Sequence, residues 1–88
     1  EVFEMILMVN VYHKLQDRTN FINSLLSNLS PDGELVIVDF YKNELPFGPS
    51  IDMKLEPDTV IYELPMLEVI DKIKINKHIY ILKFRKVI

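Results

Sequence analysis

Four consecutive aliphatic residues, Leu35-Val36-Ile37-Val38, followed by Asp39 and Phe40, constrain this chain more than any other stretch. A strand with no polar alternation must be covered on both faces, which is usual only inside a parallel sheet. Ser30-Pro31-Asp32-Gly33 precedes it and reads as a turn: proline presets the backbone at the second position and glycine is favoured at the fourth. Asp39 is the first ionisable side chain after the run. It stands at the carboxyl end, where open α/β sheets build their sites.

The rest of the chain supplies matching pieces. Residues 4–9 form a second uninterrupted apolar strand around Met5-Ile6-Leu7-Met8-Val9, and a polar, aromatic loop from Asn10 to Lys14 follows. Asp17 reads as a helix N-cap. Phe21, Ile22, Leu25, Leu26 and Leu29 recur at helical spacing, predicting about three turns. Strand, helix, strand with both strands continuously apolar is a βαβ unit. A loose loop spans residues 43–50. Glu56-Pro57-Asp58 then opens a second helix that Pro65 keeps short. Two strands, residues 69–75 and 78–87, are joined tightly at Asn76-Lys77 and must pair antiparallel.

Eighty-eight residues allow a single domain over 1–88, with a hydrophobic fraction of 49% that is generous for its size and suggests a partner. No cysteine is present, which removes disulfides and thiolate chemistry and makes a cytoplasmic address the expectation. No run is long enough to span a bilayer, and the chain is expected to be a fragment because it opens on Glu1. The net charge of −3 conceals an asymmetry: residues 1–70 hold four Lys or Arg against twelve Asp or Glu, and residues 71–88 hold six against one. The basic residues Lys72, Lys74, Lys83 and Arg85 fall at strand spacing, which favours a solvated or edge-protecting role over nucleic acid. His13 and His78 are far apart and no cluster has metal-ligand spacing, so no metal is expected.

Taken in order, Val11-Tyr12-His13-Lys14-Leu15, the helix ending Leu29-Ser30-Pro31-Asp32-Gly33-Glu34, the strand to Asp39 and the closing hairpin resemble the C-terminal half of a class I, Rossmann-like methyltransferase dependent on S-adenosylmethionine. The resemblance covers nearly the whole chain. It implies an α/β fold: the partial sheet 4-5-7-6 of that family, its last strand antiparallel, with two helices on one face. It implies that Asn10, Val11 and Tyr12 line the cofactor, that His13 and Asp39 are catalytic, and that Tyr41 meets a small-molecule acceptor.

The family's glycine-rich cofactor loop would precede Glu1. Gly33 and Gly48 are the only glycines here, so the chain is expected to be inactive alone. Half a sheet would expose the strand of residues 4–9 as an edge and leave one face bare. A homodimer, or association with a missing N-terminal half, is therefore expected, with polar substitution at Leu7 or Ile37 abolishing assembly. The alternative function is a non-catalytic, oligomerising remnant with a structural role.

Overall fold

A computed structural model describes residues 2–87. The elements are β1 (Phe3–Val9), α1 (Arg18–Leu25), β2 (Leu29–Phe40), α2 (Pro57–Glu63), β3 (Leu67–Lys74) and β4 (Ile79–Lys86), with short 3-10 turns at Tyr12–Lys14, Leu26–Asn28 and Ile51–Met53. They build one four-stranded sheet in the order β1-β2-β4-β3. β1 and β2 are parallel, and β4 runs antiparallel to both its neighbours, β2 and β3. This is the mixed α/β architecture that the family resemblance implies, with the strand last in the chain antiparallel to its neighbours.

Period-2 alternation assigns the two faces of the sheet. Met8, Leu35, Ile37, Tyr80, Leu82 and Phe84 point to one side and form a single buried cluster with Ile22 of α1 and Val60 of α2. Both helices therefore cover the same face. The other face carries Met5, Leu7 and Val9, which are 56%, 58% and 48% exposed, beside Val36, Val38 and Ile81. Ile37 is fully buried on the helix-covered side, so it belongs to the core and not to the open face expected of it. A polar residue there would disrupt the fold, whereas one at Leu7 would not.

Three local expectations are corrected. Ser30–Gly33 is not a turn ahead of a strand but an excursion within β2. Phe3 pairs with Leu29 and Met5 with Glu34, so two steps along β1 take five along β2. Leu29 is buried, and holding it in the ladder starts the strand before the turn residues; Pro31, with no N–H to donate, falls where pairing is interrupted. Asp17 precedes α1 but does not cap it, because its backbone is left-handed (φ 51°) and its carboxylate accepts from Asn20 Nδ2 at 2.9 Å. Of the helix stripe, Ile22 and Leu29 are buried while Phe21 is exposed.

Gly33 fills the tightest spot of the excursion. A Cβ there would lie 2.7 Å from Leu29 Cδ1, 2.9 Å from Ser30 Oγ and 3.0 Å from the Glu4 carbonyl oxygen. The last contact is backbone and cannot rotate away, so Gly33→Ala is expected to lower stability by roughly 1–2 kcal/mol, read as a shift of the denaturant midpoint.

The remaining elements follow from their residues. Pro57 and Asp58 stand in the first turn of α2, and Pro65 follows closely on its end. At the hairpin tip, Asn76 Oδ1 accepts from the His78 and Ile79 backbone N–H groups at 2.7 and 3.0 Å, the local bonding that makes asparagine a turn former. The four cations at strand spacing divide between the faces. Lys72 and Lys74 lie on the helix side, where Lys72 Nζ meets Asp58 at 2.8 Å, and Lys83 and Arg85 lie on the open side. Among the described residues no helix is long and apolar enough to cross a membrane.

Candidate active site

β1 and β2 end side by side, and the chain leaving each contributes half of a buried pair. After Val9, Asn10 adopts a left-handed conformation (φ 58°), tolerated better by asparagine than by most residues, while its N–H bonds the Val38 carbonyl at 2.8 Å. This turns the backbone into the 3-10 turn that carries His13 over the end of β2. Asp39 is the next residue of β2 on the helix-covered face after Leu35 and Ile37. It is 1% exposed.

His13 Nδ1 lies 2.8 Å from Asp39 Oδ1 and 3.0 Å from Oδ2. The His13 backbone N–H also donates to Oδ2, at 3.2 Å, and the Phe40 N–H donates to Oδ1 at 2.9 Å. The carboxylate is thus surrounded by donors, as a buried charge must be. A carboxylate facing Nδ1 places the ring hydrogen there and leaves the lone pair on Nε2. Nε2 is buried and has no hydrogen-bond partner.

The His13 side chain is closed off from solvent (0% exposed), and past this turn lies a cavity of about 390 Å³, lined by Asn10, His13, Lys14, Phe40, Gly48, Pro49 and Met53. That volume is in the range of small-molecule pockets, and the place, over the carboxyl ends of parallel strands, is where such sheets bind ligands. The outer wall comes from a strap, residues 41–56. Its neck is closed by the Lys42 N–H donating to Glu56 Oε1 at 2.5 Å and by Lys54 Nζ donating to the Asn43 carbonyl. Asn43 Nδ2 ties it to the Lys77 carbonyl of the hairpin at 2.9 Å, and Tyr80 OH holds the Leu55 carbonyl at 2.8 Å. Lys54 is itself 1% exposed, with its ammonium 5.5 Å from the centre of the Phe40 ring.

His13 and Asp39, separated by 26 positions, are thus brought together as one unit, with Asn10 on the same cavity. Val11 is exposed beside them. Tyr12 is placed otherwise: its ring is fully buried in the core and its hydroxyl donates to Glu63 Oε1 at 2.7 Å, so it has no surface left for a cofactor. Tyr41 packs edge-on against Tyr80, with centroids 5.1 Å apart, and lines a separate cavity of about 200 Å³ with Asn43, Glu56, Lys74 and Lys77. Sequence reasoning missed Lys14, Phe40 and Met53 as walls, and Lys54 as the latch; the only local signal was the Gly48-Pro49 pair that bends the strap. Among the described residues no group of His, Asp or Glu gathers to hold a metal ion.

The buried tyrosines behind the site carry a pH signature. The Tyr12 hydroxyl is pushed above the ordinary tyrosine value of 10.0 by burial and then by Glu63, and Tyr80 is pushed up by burial and then by the charge of Asp39. Each folded-state value exceeds the unfolded one, so their contribution to stability is full below pH 10 and falls as the pH climbs beyond it. Tyrosinate absorbance from these two residues is expected to rise together with loss of tertiary structure in an alkaline titration; ionisation of either in the folded protein would contradict it.

No protein-family model and no curated protein matches the sequence. Solved structures do. An S-adenosylmethionine-dependent methyltransferase of Aquifex aeolicus superimposes with a TM-score of 0.90 at 22% identity, over 98% of this chain and 47% of that one. The chain carries part of the class I methyltransferase fold. A protein of Sulfolobus solfataricus assigned to the type 11 methyltransferases gives a TM-score of 0.85 at 19% identity, over 97% of this chain and 50% of its own. An O-methyltransferase family 2 protein of Planctomyces limnophilus, solved with apigenin, gives 0.78 at 20% identity, over 99% and 31%. This chain therefore spans half or less of the length of the methyltransferases it matches, and its 88 residues correspond to a portion of that fold.

Proposed function

We propose that this chain builds the acceptor side of a methyltransferase site dependent on S-adenosylmethionine, with His13 as the general base and Asp39 as its positioning residue. The observation that carries the reading is the buried His13–Asp39 pair with an unpartnered Nε2, carried by a turn that borders a small-molecule cavity; the ring is closed off from solvent, so the reading requires the turn or the strap to open for Nε2 to meet an acceptor. Bound S-adenosylmethionine supplies an electrophilic methyl group on a sulfonium centre. Such chemistry asks the protein mainly to align the acceptor and accept its proton. Asp39 holds the imidazole with its lone pair on Nε2 and stabilises the cation that forms when Nε2 takes a proton, the role a buried carboxylate plays behind a catalytic histidine.

Part of the cofactor's surroundings is present and part is not. Asn10 and Val11 keep free surface at the end of β1 and would contact it there. Gly33 lies within β2 and Gly48 stands alone on the strap between β2 and α2, so these residues offer no glycine-rich loop to receive it. Tyr41 would touch only an acceptor long enough to reach beyond the strap. Calorimetric titration of the purified protein with S-adenosylmethionine tests the reading: saturable one-to-one heat, lost in an Asn10→Trp variant that fills the cavity mouth, is expected. A flat isotherm into the millimolar range would overturn it for this chain.

A second reading, an assembling module without chemistry, is favoured by the exposed row Met5, Leu7 and Val9 on a strand that pairs on one side only, with β2. Apolar edges of this kind recruit further strands or sheets. In sedimentation analysis the wild type is expected to self-associate and Leu7→Asp to be monomeric with unchanged secondary structure. A monomeric wild type would remove this reading and leave the first untouched.

A further inference from the structure

We propose that residues 44–53, the outer part of the strap, form a lid over the cavity of about 390 Å³, that the lid opens as one piece about its neck, and that Lys54 is the latch that holds and releases it. The inference stands on the strap alone. It holds or fails apart from the methyltransferase reading, which calls for an opening of the turn or of this strap.

The strap is fixed at its two ends and free between them. At the ends, the Tyr41 N–H donates to the His78 carbonyl at 2.8 Å, Asn43 Nδ2 to the Lys77 carbonyl at 2.9 Å, and Tyr80 OH to the Leu55 carbonyl at 2.8 Å. Residues 44–53 bond only within the strap: the Met53 N–H to the Ser50 carbonyl at 3.0 Å, and the Lys54 N–H to the Ile51 carbonyl at 3.2 Å. Pro46 and Pro49 restrict the backbone on either side of Phe47 and Gly48, which favours movement of the tip as a unit.

Of residues 41–56, Lys54 alone is buried. The one point that pins the strap is thus an ammonium. Its partners are the Asn43 carbonyl and the Phe40 ring, 5.5 Å away, and among the described residues no carboxylate pairs with it. A buried cation without a counter-ion loses hydration that one carbonyl and one ring replace only in part. Swinging outward restores that hydration. Little apolar surface is uncovered in exchange, because Phe47, Ile51 and Met53 are already 65%, 39% and 46% exposed. Closed and open arrangements therefore lie close in free energy, which is what a working lid requires.

Phe40 connects the latch to the cavity. Its ring carries the ammonium and lines the cavity, and a Cβ on Gly48 would lie 3.7 Å from it. Lifting Gly48, Pro49 and Met53 removes the outer wall and leaves Asn10, Lys14 and Phe40 bordering an open cleft.

NMR relaxation dispersion on the full chain tests the lid. The wild type is expected to show one millisecond exchange process shared by the Gly48, Met53 and Lys54 amides and the Phe40 ring. Lys54→Met keeps the length of the side chain and its contact with Phe40 but removes the charge, so it is expected to tighten the strap and lower the open population about fivefold. Lys54→Ala, which empties the space, is expected to raise that population. Gly33→Ala weakens the sheet away from the strap and is expected to leave it unchanged.

No exchange at these positions, exchange that leaves Phe40 unaffected, a Lys54→Met variant more open than the wild type, or an equal response to Gly33→Ala would each overturn the inference, the last by marking the motion as global unfolding. Loss of S-adenosylmethionine binding with this pattern intact would remove the methyltransferase reading alone.

Discussion

Asp39→Ala is expected to cost about 3–5 kcal/mol of stability, because it removes a buried carboxylate and strands the groups that surround it. His13 Nδ1, the His13 N–H and the Phe40 N–H all bond this one side chain. A domain of this size has only about 5–15 kcal/mol in total, so the variant should stand near the edge of folding. Asp39→Asn separates structure from chemistry. The amide keeps the shape and one acceptor oxygen, so the loss of stability is expected to be much smaller. It also offers an N–H to the imidazole, which moves the ring hydrogen to Nε2 and removes the lone pair there. Any methyl transfer by the full protein should then fall by about 10⁴, as in other histidines given the wrong tautomer, and His13→Ala by about 10²–10⁴. An Asp39→Asn variant with wild-type transfer rate would show that the pair is only structural.

The second large effect concerns Glu63, at the end of α2. Its carboxylate receives Tyr12 OH at 2.7 Å and a two-pronged contact from Arg18, Nε at 2.8 Å and Nη2 at 2.6 Å. Arg18 also stacks over the Tyr12 ring, 5.7 Å from its centre. One residue thus ties α2 to the start of α1 and to the turn that carries His13. Glu63→Ala is expected to cost about 1.5–3 kcal/mol, within the range for hydrogen bonds to charged groups. The hydrogen bond from Arg18 holds the Glu63 carboxyl below its ordinary value of 4.5, with Tyr12 OH acting in the same direction. A depressed carboxylate stabilises the folded state above its unfolded value, and that contribution is lost as the pH falls through the folded one. The wild type should therefore lose stability below about pH 4.5 more steeply than Glu63→Gln, which has no proton to take up there. Parallel acid unfolding curves would show that the brace contributes nothing.

Much of this architecture could be read from the residues because the apolar runs decide it. Met5–Val9 and Leu35–Val38 can only be strands, although the first, read as buried, buries Met8 and leaves Met5, Leu7 and Val9 about half exposed, and the proline positions around α2 fix its short length. The hairpin followed from two alternating stretches too close to do anything but pair. The pairing of His13 with Asp39 lies beyond local pattern: it needs the parallel register that sets Val9 against Val38, so that both chains leave the sheet together.

Where sequence reasoning went astray, long-range contacts outweighed local preference. Ser30–Gly33 has turn chemistry, yet the burial of Leu29 draws the segment into β2. Tyr12 resembles a ligand-facing aromatic, but Glu63 and Arg18 hold it in the core. Lys54 gave no signal at all, since a lysine is expected outside and only the folded strap supplies the carbonyl and ring that bury it.

The central claim is that Asp39 fixes the His13 ring with its hydrogen on Nδ1 and its lone pair on Nε2. Nitrogen-15 NMR of the imidazole at neutral pH tests it most directly. The account predicts the hydrogen on Nδ1, facing Asp39; a hydrogen on Nε2 would contradict it and leave the pair as part of the scaffold.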